Sequence, residues 1–463
     1  MSPAPAGELA IVLHSHMPYV EGYGTWPFGE EWLWEAVATS YLPLLEVLDP
    51  DGPVTLSVTP VLADQLEADG VDERMATFLG EVRAGTHAQD IATADEPGVA
   101  TELERSARDY ARAVERLDAL GPGGLLGALA PQAAWTSSAT HAVLPLLATD
   151  AGVRLQLDAG IAAHRARFGE PRPWRGGLWL PECAYAPWLD RPLAEAGVRV
   201  CCVDLTDVLG RGAPEQLRPI ATREGPVLVP IDRELIELVW SPGGYPSAAA
   251  YRDYHGLTAN HHRAWAIDGQ VYDRERARAQ ARADAADFVG RAAERVASGG
   301  LAVCALDTEL LGHWWFEGPQ WLAAVIEEAR RAGLRLTHVD DALRRHEPVA
   351  AAALPGLGVT TWGTPRDLST WSGPRVADLA FAARRAELDV LRATPPSAAA
   401  VRELLALQSS DWAFLASGPL AASYGRERAQ QHREAVERLL GGISSDAPRN
   451  LAVHASPAPL LAP

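Results

Sequence analysis

"ELAIVLHSHMP", residues 8–18, sets five apolar residues (Leu9 to Leu13) directly ahead of His14, Ser15 and His16. It reads as a buried strand ending in polar residues. The same plan recurs in "VTLSVTP" (54–60), "GGLWLPE" (176–182), "VRVCCVDLTD" (198–207), "VLVPID" (227–232) and "LAVCALDTEL" (301–310). Each run is short and ends in His, Asp, Glu or Pro. Between them lie helical stretches such as "EEWLWEAVATSYLPLLEVL" (30–48) and "ERARAQARADAADFVGRAAERVA" (275–297). Strands alternating with helices call for a parallel sheet, and polar residues at strand C-terminal ends are where barrel sites gather. The expectation is an α/β fold, a (β/α) barrel rather than an open doubly wound sheet, because no glycine-rich dinucleotide loop follows any strand.

The 463 residues carry 41 basic and 60 acidic side chains, a formal net charge of −19. Such a surface repels a phosphate backbone, so no nucleic-acid partner is expected. Every basic residue is arginine. Without lysine there is no Schiff-base or pyridoxal-phosphate anchor and no GK[ST] phosphate loop. Cys183, Cys201, Cys202 and Cys304 form no CxxC pair and read as buried free thiols of a reducing cytoplasm. No signal peptide and no membrane span of ~20 apolar residues is apparent, so no membrane partner is expected. Fifteen tryptophans are unusual. Trp packs cores, but it also stacks on the apolar faces of sugar rings.

Two segments interrupt the alternation. Residues 61–130 are helix-rich with a break at "LGPGG", an excursion from the barrel. "SPGGYPSAAAYRDYHG" opens a Gly/Pro-rich, lid-like segment at 241–264. The catalytic barrel is expected over 1–355, a helical domain over 356–446, and a flexible tail over 447–463.

His14 and His16 stand at i and i+2 where a strand ends, so their side chains share a face. A metal pair, two hydrogen-bonding imidazoles in a polar pocket, and two surface histidines are all compatible with that spacing. Asp307 and Glu309 repeat the i, i+2 arrangement ahead of His313, Trp314 and Trp315, although an Asp-Thr pair also suits a helix cap. Acids beside aromatics are placed for a raised pKa. Glu182 closes a third apolar run. Two carboxyl groups flanking a glycosidic bond suffice for hydrolysis or transfer.

"HSHMPYV", "GYGTWPFGEEWLWEA", "LSVTPVLADQL", "SATHAVLPLL", "LWLPECAYAPWLD", "VWSPGGYP", "LDTELLGHWWFEGP", "TTWG" and "RELLALQSSDWAF" with "YGRER" resemble, in that order, the motifs of glycoside hydrolase family 57. The closest resemblance is to its 1,4-α-glucan branching enzymes, over about residues 9–438. It implies a distorted (β/α)7 barrel with a helical insertion and a C-terminal α-helical domain, and a retaining mechanism with no metal and no cofactor. In that pattern Glu182 is the nucleophile and Asp307 the general acid/base. His14, His16 and His141 match histidines around the attacked glucose. Trp265, Trp362, Trp371 and Trp412 match motif aromatics, and His313 is taken with them as substrate-binding. Tyr245, at the centre of the lid-like segment, is placed to shield the reacting bond or is simply a packed tyrosine.

The chain departs from the pattern in a shortened stretch at 70–130, in "WTSSATH" ahead of His141, and in "TPRDLST" between Trp362 and Trp371. The expected partner is an α-1,4-glucan, amylose or glycogen-like, and nothing in the chain specifies an oligomeric state. Branching is the first reading. Hydrolysis or 4-α-glucanotransfer on the same site is the second, and a non-catalytic glucan binder or a metal-dependent deacetylase the third.

Overall fold

The computed structural model describes residues 6–24, 29–121, 123–354, 356–393, 396–418, 421, 423–443 and 450–461. Seven parallel strands close on one another: β1 (Glu8–Ser15), β2 (Val54–Val58), β3 (Ala133–Trp135), β4 (Gly177–Leu178), β5 (Val200–Val203), β6 (Val227–Pro230) and β7 (Leu301–Asp307). β1 pairs with β2 on one side and β7 on the other; β2 continues to β3, and β4 to β5 and β6. A parallel bridge from Thr136 to Leu178 joins β3 to β4. Beyond β6 the ring closes on one bond, Asp232 N–H to the Val303 carbonyl at 2.8 Å. Pro230 ends β6 without an N–H to donate, one reason that this seam is thin. The result is the distorted (β/α)7 barrel that the motif order implies.

Closure leaves no bare edge and buries the strands on both faces. All eight residues of β1 are buried, so its sequence is an apolar run rather than an alternation. One core cluster joins β1, β2 and β7 to the helices Arg274–Arg295 and Gly318–Ala332; a second fills the side of β4, β5 and β6. Register then places the chemistry. His14 lies opposite Ser57 on β2 and opposite Asp307 on β7, so three polar side chains sit level at the C-terminal end of the ring.

After β2 the chain makes its helical excursion, dominated by the helices Arg83–Thr93 and Pro97–Ala119. These dock on the segment expected to be a lid. Within that segment Arg252 pairs with Glu102 at 2.5 Å and Asn260 donates to Asp90 at 2.8 Å; ten residues beyond it Arg274 pairs with Glu102 and Asp109 at 2.9 and 2.8 Å. Arg252 and Glu102 are both buried, and breaking such a pair strands a dehydrated charge. These contacts hold the 252–262 part of the segment against the excursion.

The helices Ala377–Arg392, Ala398–Leu407, Ser410–Ser417 and Tyr424–Leu440 pack around Val390, Val401, Leu404, Leu405 and Val436. They are joined to the barrel by Glu387, which accepts from the Ala148 N–H (3.0 Å) and the Thr149 hydroxyl (2.6 Å). Gly152 lies so close that a Cβ there would overlap the Glu387 carboxylate. Much of the stretch expected to fray is also held. Asn450 N–H donates to Glu21 at 3.0 Å, Ala452 N–H to Asp64 at 2.6 Å, and Leu451 and Leu460 are buried. Residues 447–449, 462 and 463 of that stretch lie outside the described residues. Among the described residues no helix is long and apolar enough to cross a membrane, and all four cysteines are free and buried.

Candidate active site

A cavity of about 410 Å³ opens at the C-terminal end of the barrel, with Glu182 and Asp307 both in its wall. Glu182 follows β4 through the buried Leu178, Trp179 and Leu180, which fix the approach of the chain. Pro181 starts a tight turn in which Glu182 adopts φ 62°, ψ 21°, the left-handed region that a residue with a side chain avoids at roughly 1–3 kcal/mol. Its surroundings hold it there. Trp362 N–H donates to the Glu182 carbonyl at 3.0 Å, and the Trp362 indole N–H donates to Oε2 at 3.1 Å. Ser410 Oγ donates to Oε1 at 3.2 Å. Arg233 in turn grips the Trp362 carbonyl at 2.7 Å while ion-paired with Asp204.

Two neutral imidazoles stand behind Ser410. His141 Nδ1 is 2.8 Å from Ser410 Oγ, His141 Nε2 is 3.0 Å from His14 Nε2, and His14 Nδ1 is 3.3 Å from Ser57 Oγ. Burial lowers the pKa of both rings well below the ordinary histidine value, and the neighbouring imidazoles add to it. With both rings neutral and Glu182 ionised, one assignment satisfies the whole chain. Ser57 donates to His14, His14 Nε2–H to His141, His141 Nδ1–H to Ser410, and Ser410 to the carboxylate. Four dipoles thus point at Glu182. Burial still pushes its pKa up to about 7, with Trp362, His16 and Ser410 pulling down and Asp411 pushing up. His16 contributes only through space, His14 only through the relay, and the direct donors are Trp362 and Ser410.

The cavity lining is otherwise acidic. Burial, then Glu309 and Glu182, drive the pKa of Asp307 well above the usual carboxylate range, with only His16 opposing. Glu309 accepts the His16 backbone N–H at 3.0 Å and the Tyr41 hydroxyl, and burial takes it up to about 7. His16 Nε2–H donates to Asp411 at 2.9 Å; although burial works against its charge, Asp411 and the other acids raise its pKa. The site can therefore present a hydrogen-bonded carboxylate and a protonated carboxylic acid to one bound molecule. Trp240, Trp314 and Phe414, respectively 45, 42 and 55% exposed, line the same cavity.

Of the sequence-derived candidates, His14, His16, His141, Glu182, Asp307 and Trp362 converge on this cavity. The others lie elsewhere. His313 is buried against Thr39 and Trp314 and borders a second cavity. Trp265 bridges to Val271 and packs on Val99 and Leu103. Tyr245 donates to Asp287 at 2.7 Å and leans on Trp321, the packed-tyrosine alternative. Trp371 is buried with Val143, Ala184 and Val376, and Trp412 donates to the Ala406 carbonyl and stacks on His432. Sequence reasoning left Ser410, Asp411 and Tyr41 unassigned. The first two stand in "QSSDW", where the tryptophan drew attention away from its polar neighbours. Tyr41 gave no signal inside an apolar helical stretch.

The one trio among the described residues with metal-ligand spacing is His16, His141 and Asp411. Every ring nitrogen in it already has a hydrogen-bond partner, Thr59 and Asp411 for His16, Ser410 and His14 for His141. That donor set suits a hydrogen-bonded network better than a cation, which needs free lone pairs.

The sequence model of Glycosyl hydrolase family 57 matches residues 134–355, and that of the 1,4-alpha-glucan branching enzyme C-terminal region matches 379–455. A probable 1,4-alpha-glucan branching enzyme of Mycobacterium tuberculosis is 33% identical over 97% of this chain and 95% of its own. The 1,4-alpha-glucan branching enzyme TK1436 of Thermococcus kodakarensis is 31% identical over 94% of this chain and 73% of its own. The crystal structure of a branching enzyme of this type from Pyrococcus horikoshii superposes with a TM-score of 0.88, at 28% identity, over 98% of this chain and 97% of that one. Matched along nearly its whole length in sequence and fold, the chain belongs to glycoside hydrolase family 57.

Proposed function

We propose that the chain is a 1,4-α-glucan branching enzyme working by double displacement, with Glu182 as nucleophile and Asp307 as general acid/base. The observation that carries this reading is the pair of unlike carboxyls in one cavity. Glu182 has hydrogen-bond donors on both oxygens, while burial and neighbouring acids raise the pKa of Asp307 well above the usual carboxylate range, which favours its protonated form. Those are the requirements of a nucleophile and a proton donor.

In the first step a Glu182 oxygen attacks C1 of a glucosyl unit. The C1–O4 bond breaks, and the Asp307 proton goes to the departing O4. The oxocarbenium-like charge develops beside Glu182, while the neutral His14 and His141 add no opposing charge. In the second step Asp307, now a carboxylate, takes the proton from a glucose O6. That oxygen attacks C1, and Glu182 leaves as a carboxylate. One α-1,4 bond is exchanged for one α-1,6 bond.

Acceptor choice decides between branching, hydrolysis and disproportionation. The exposed faces of Trp240, Trp314 and Phe414 favour a second glucan chain over water, since sugar faces stack on such rings. The kinship with branching enzymes over 94% or more of this chain supports the same choice. Four buried free thiols suit a cytoplasmic enzyme. Linkage analysis of products from linear amylose tests the reading. New α-1,6 bonds in excess over new reducing ends are expected. Reducing ends without α-1,6 bonds mean hydrolysis, and redistributed α-1,4 chains mean 4-α-glucanotransfer.

A further inference from the structure

A second cavity, about 360 Å³, lies between the helical excursion, the 252–274 segment and the turn after β7. It is within the size range of small-ligand pockets, roughly 300–1,000 Å³, and the glucan chemistry leaves it unused. Seven arginines and four carboxylate residues border it, a local reversal of sign in a chain of net charge −19. Arg83, Arg252 and Arg274 are committed to Glu35, Glu102 and Asp109. Arg263 forms no ion pair among the described residues: it donates to the His313 carbonyl at 3.2 Å, hydrogen-bonds with Tyr254, and its guanidinium lies 3.9 Å from the Tyr254 ring centre.

The lining carries more guanidinium than carboxylate groups. Burial lowers the pKa of Arg263, while Tyr254, Tyr110 and Glu35 work against that and Arg252 adds to it. Burial together with Arg83 takes His262 down to about 2, and burial with Arg263 takes His313 down to about 3. A neutral glucan is a poor fit, because guanidinium groups already cover the aromatic faces. Arg252 sits 4.4 Å from the Tyr272 ring centre and 3.8 Å from that of Phe316. A cation would meet the wrong sign. The free chemistry is a planar guanidinium fork beside N–H donors, which matches a tetrahedral oxyanion.

We infer that this cavity is a binding site for a phosphoryl group, free or carried on a small sugar, with Arg263 as its anchoring cation. The site adjoins the reaction cleft through one turn. Glu309 and Trp314 face the cavity of the two acids, and His313, Phe316 and Glu317 face this one. When Arg263 turns to an anion it releases the His313 carbonyl, next in the chain to Trp314, so an occupant reaches the glucan cleft.

Calorimetric titration of the full chain with inorganic phosphate, glucose 6-phosphate and, as control, glucose tests the site. Saturable binding of a phosphoryl compound and none of glucose is expected, with Arg263→Gln weakening it by about tenfold or more. Arg263→Lys, which keeps the charge and loses the fork, should fall between. Circular dichroism and amylose binding verify that both variants are folded. Glucose 6-phosphate binding well ahead of phosphate identifies a sugar-borne group as the ligand; equal affinities identify free phosphate. No saturable heat from either compound up to roughly 10 mM, weaker than any useful site, overturns the proposal. So does wild-type affinity in both folded variants.

Discussion

Ser410→Ala removes one hydroxyl and tests the electrostatic design at its narrowest point. That hydroxyl is the donor to Glu182 Oε1 and the end of the relay from Ser57. A hydrogen bond to a charged group contributes about 1.5–3 kcal/mol, and one pKa unit corresponds to about 1.4 kcal/mol. Loss of the bond should therefore raise Glu182 from about 7 by at least one unit, toward about 8. The nucleophile acts as its anion, so it gains activity as pH rises through its pKa. At pH 6.5 the ionised fraction falls from about a quarter to about 3%, an eightfold loss at the lower bound. The loss should shrink toward nothing as pH rises past the new value, for as long as Asp307 keeps its proton. The assay is initial transfer rate on amylose between pH 5 and 9, with the fold verified by circular dichroism. A deficit independent of pH, or an acidic limb that does not move, would refute the account of how Glu182 is kept charged.

Glu182→Gln should lower turnover by several orders of magnitude while amylose still binds, as measured by affinity electrophoresis. Asp307→Asn should lower it comparably and also abolish the alkaline limb, because that limb marks ionisation of the proton donor. Exhaustive dialysis against a chelator should leave the rate unchanged; loss restored by added metal would reassign His16, His141 and Asp411 as ligands. Gly152→Ala should cost about 1–3 kcal/mol by overpacking against Glu387, read as a lowered Tm with the pH profile preserved.

Much of the barrel was legible because a closed parallel sheet writes itself as repeated apolar runs with polar ends. β3, at three residues, was not read as a strand, since so short a run carries no period. Asp307, His14 and His16 were legible because they stand at or beside strand ends, where direction follows from register; Glu182 closes an apolar run four residues beyond β4, and His141, six residues beyond β3, came only with the motif resemblance. Tryptophans were less so. Trp362 faces the cavity, but Trp265, Trp371 and Trp412 answer to packing, and no local pattern separates a ring that meets sugar from one that meets leucine. The docking of the 241–264 segment was hidden for a different reason. Its contacts with the excursion are an ion pair to Glu102 and hydrogen bonds to Thr86 and Asp90, more than a hundred positions away, while its Gly/Pro content reports only local stiffness.

The left-handed turn at Glu182 has a consequence for how the enzyme fails on heating. Trp362 and Ser410 hold that turn and its carboxylate, and both come from the chain beyond the last barrel strand. Should the chain from Trp362 onward peel away, the barrel keeps its ring of strands but Glu182 relaxes to ordinary backbone angles and loses its donors. Inactivation would then precede melting of the sheet, and a spectroscopic melting curve would overstate the temperature at which the catalyst still works.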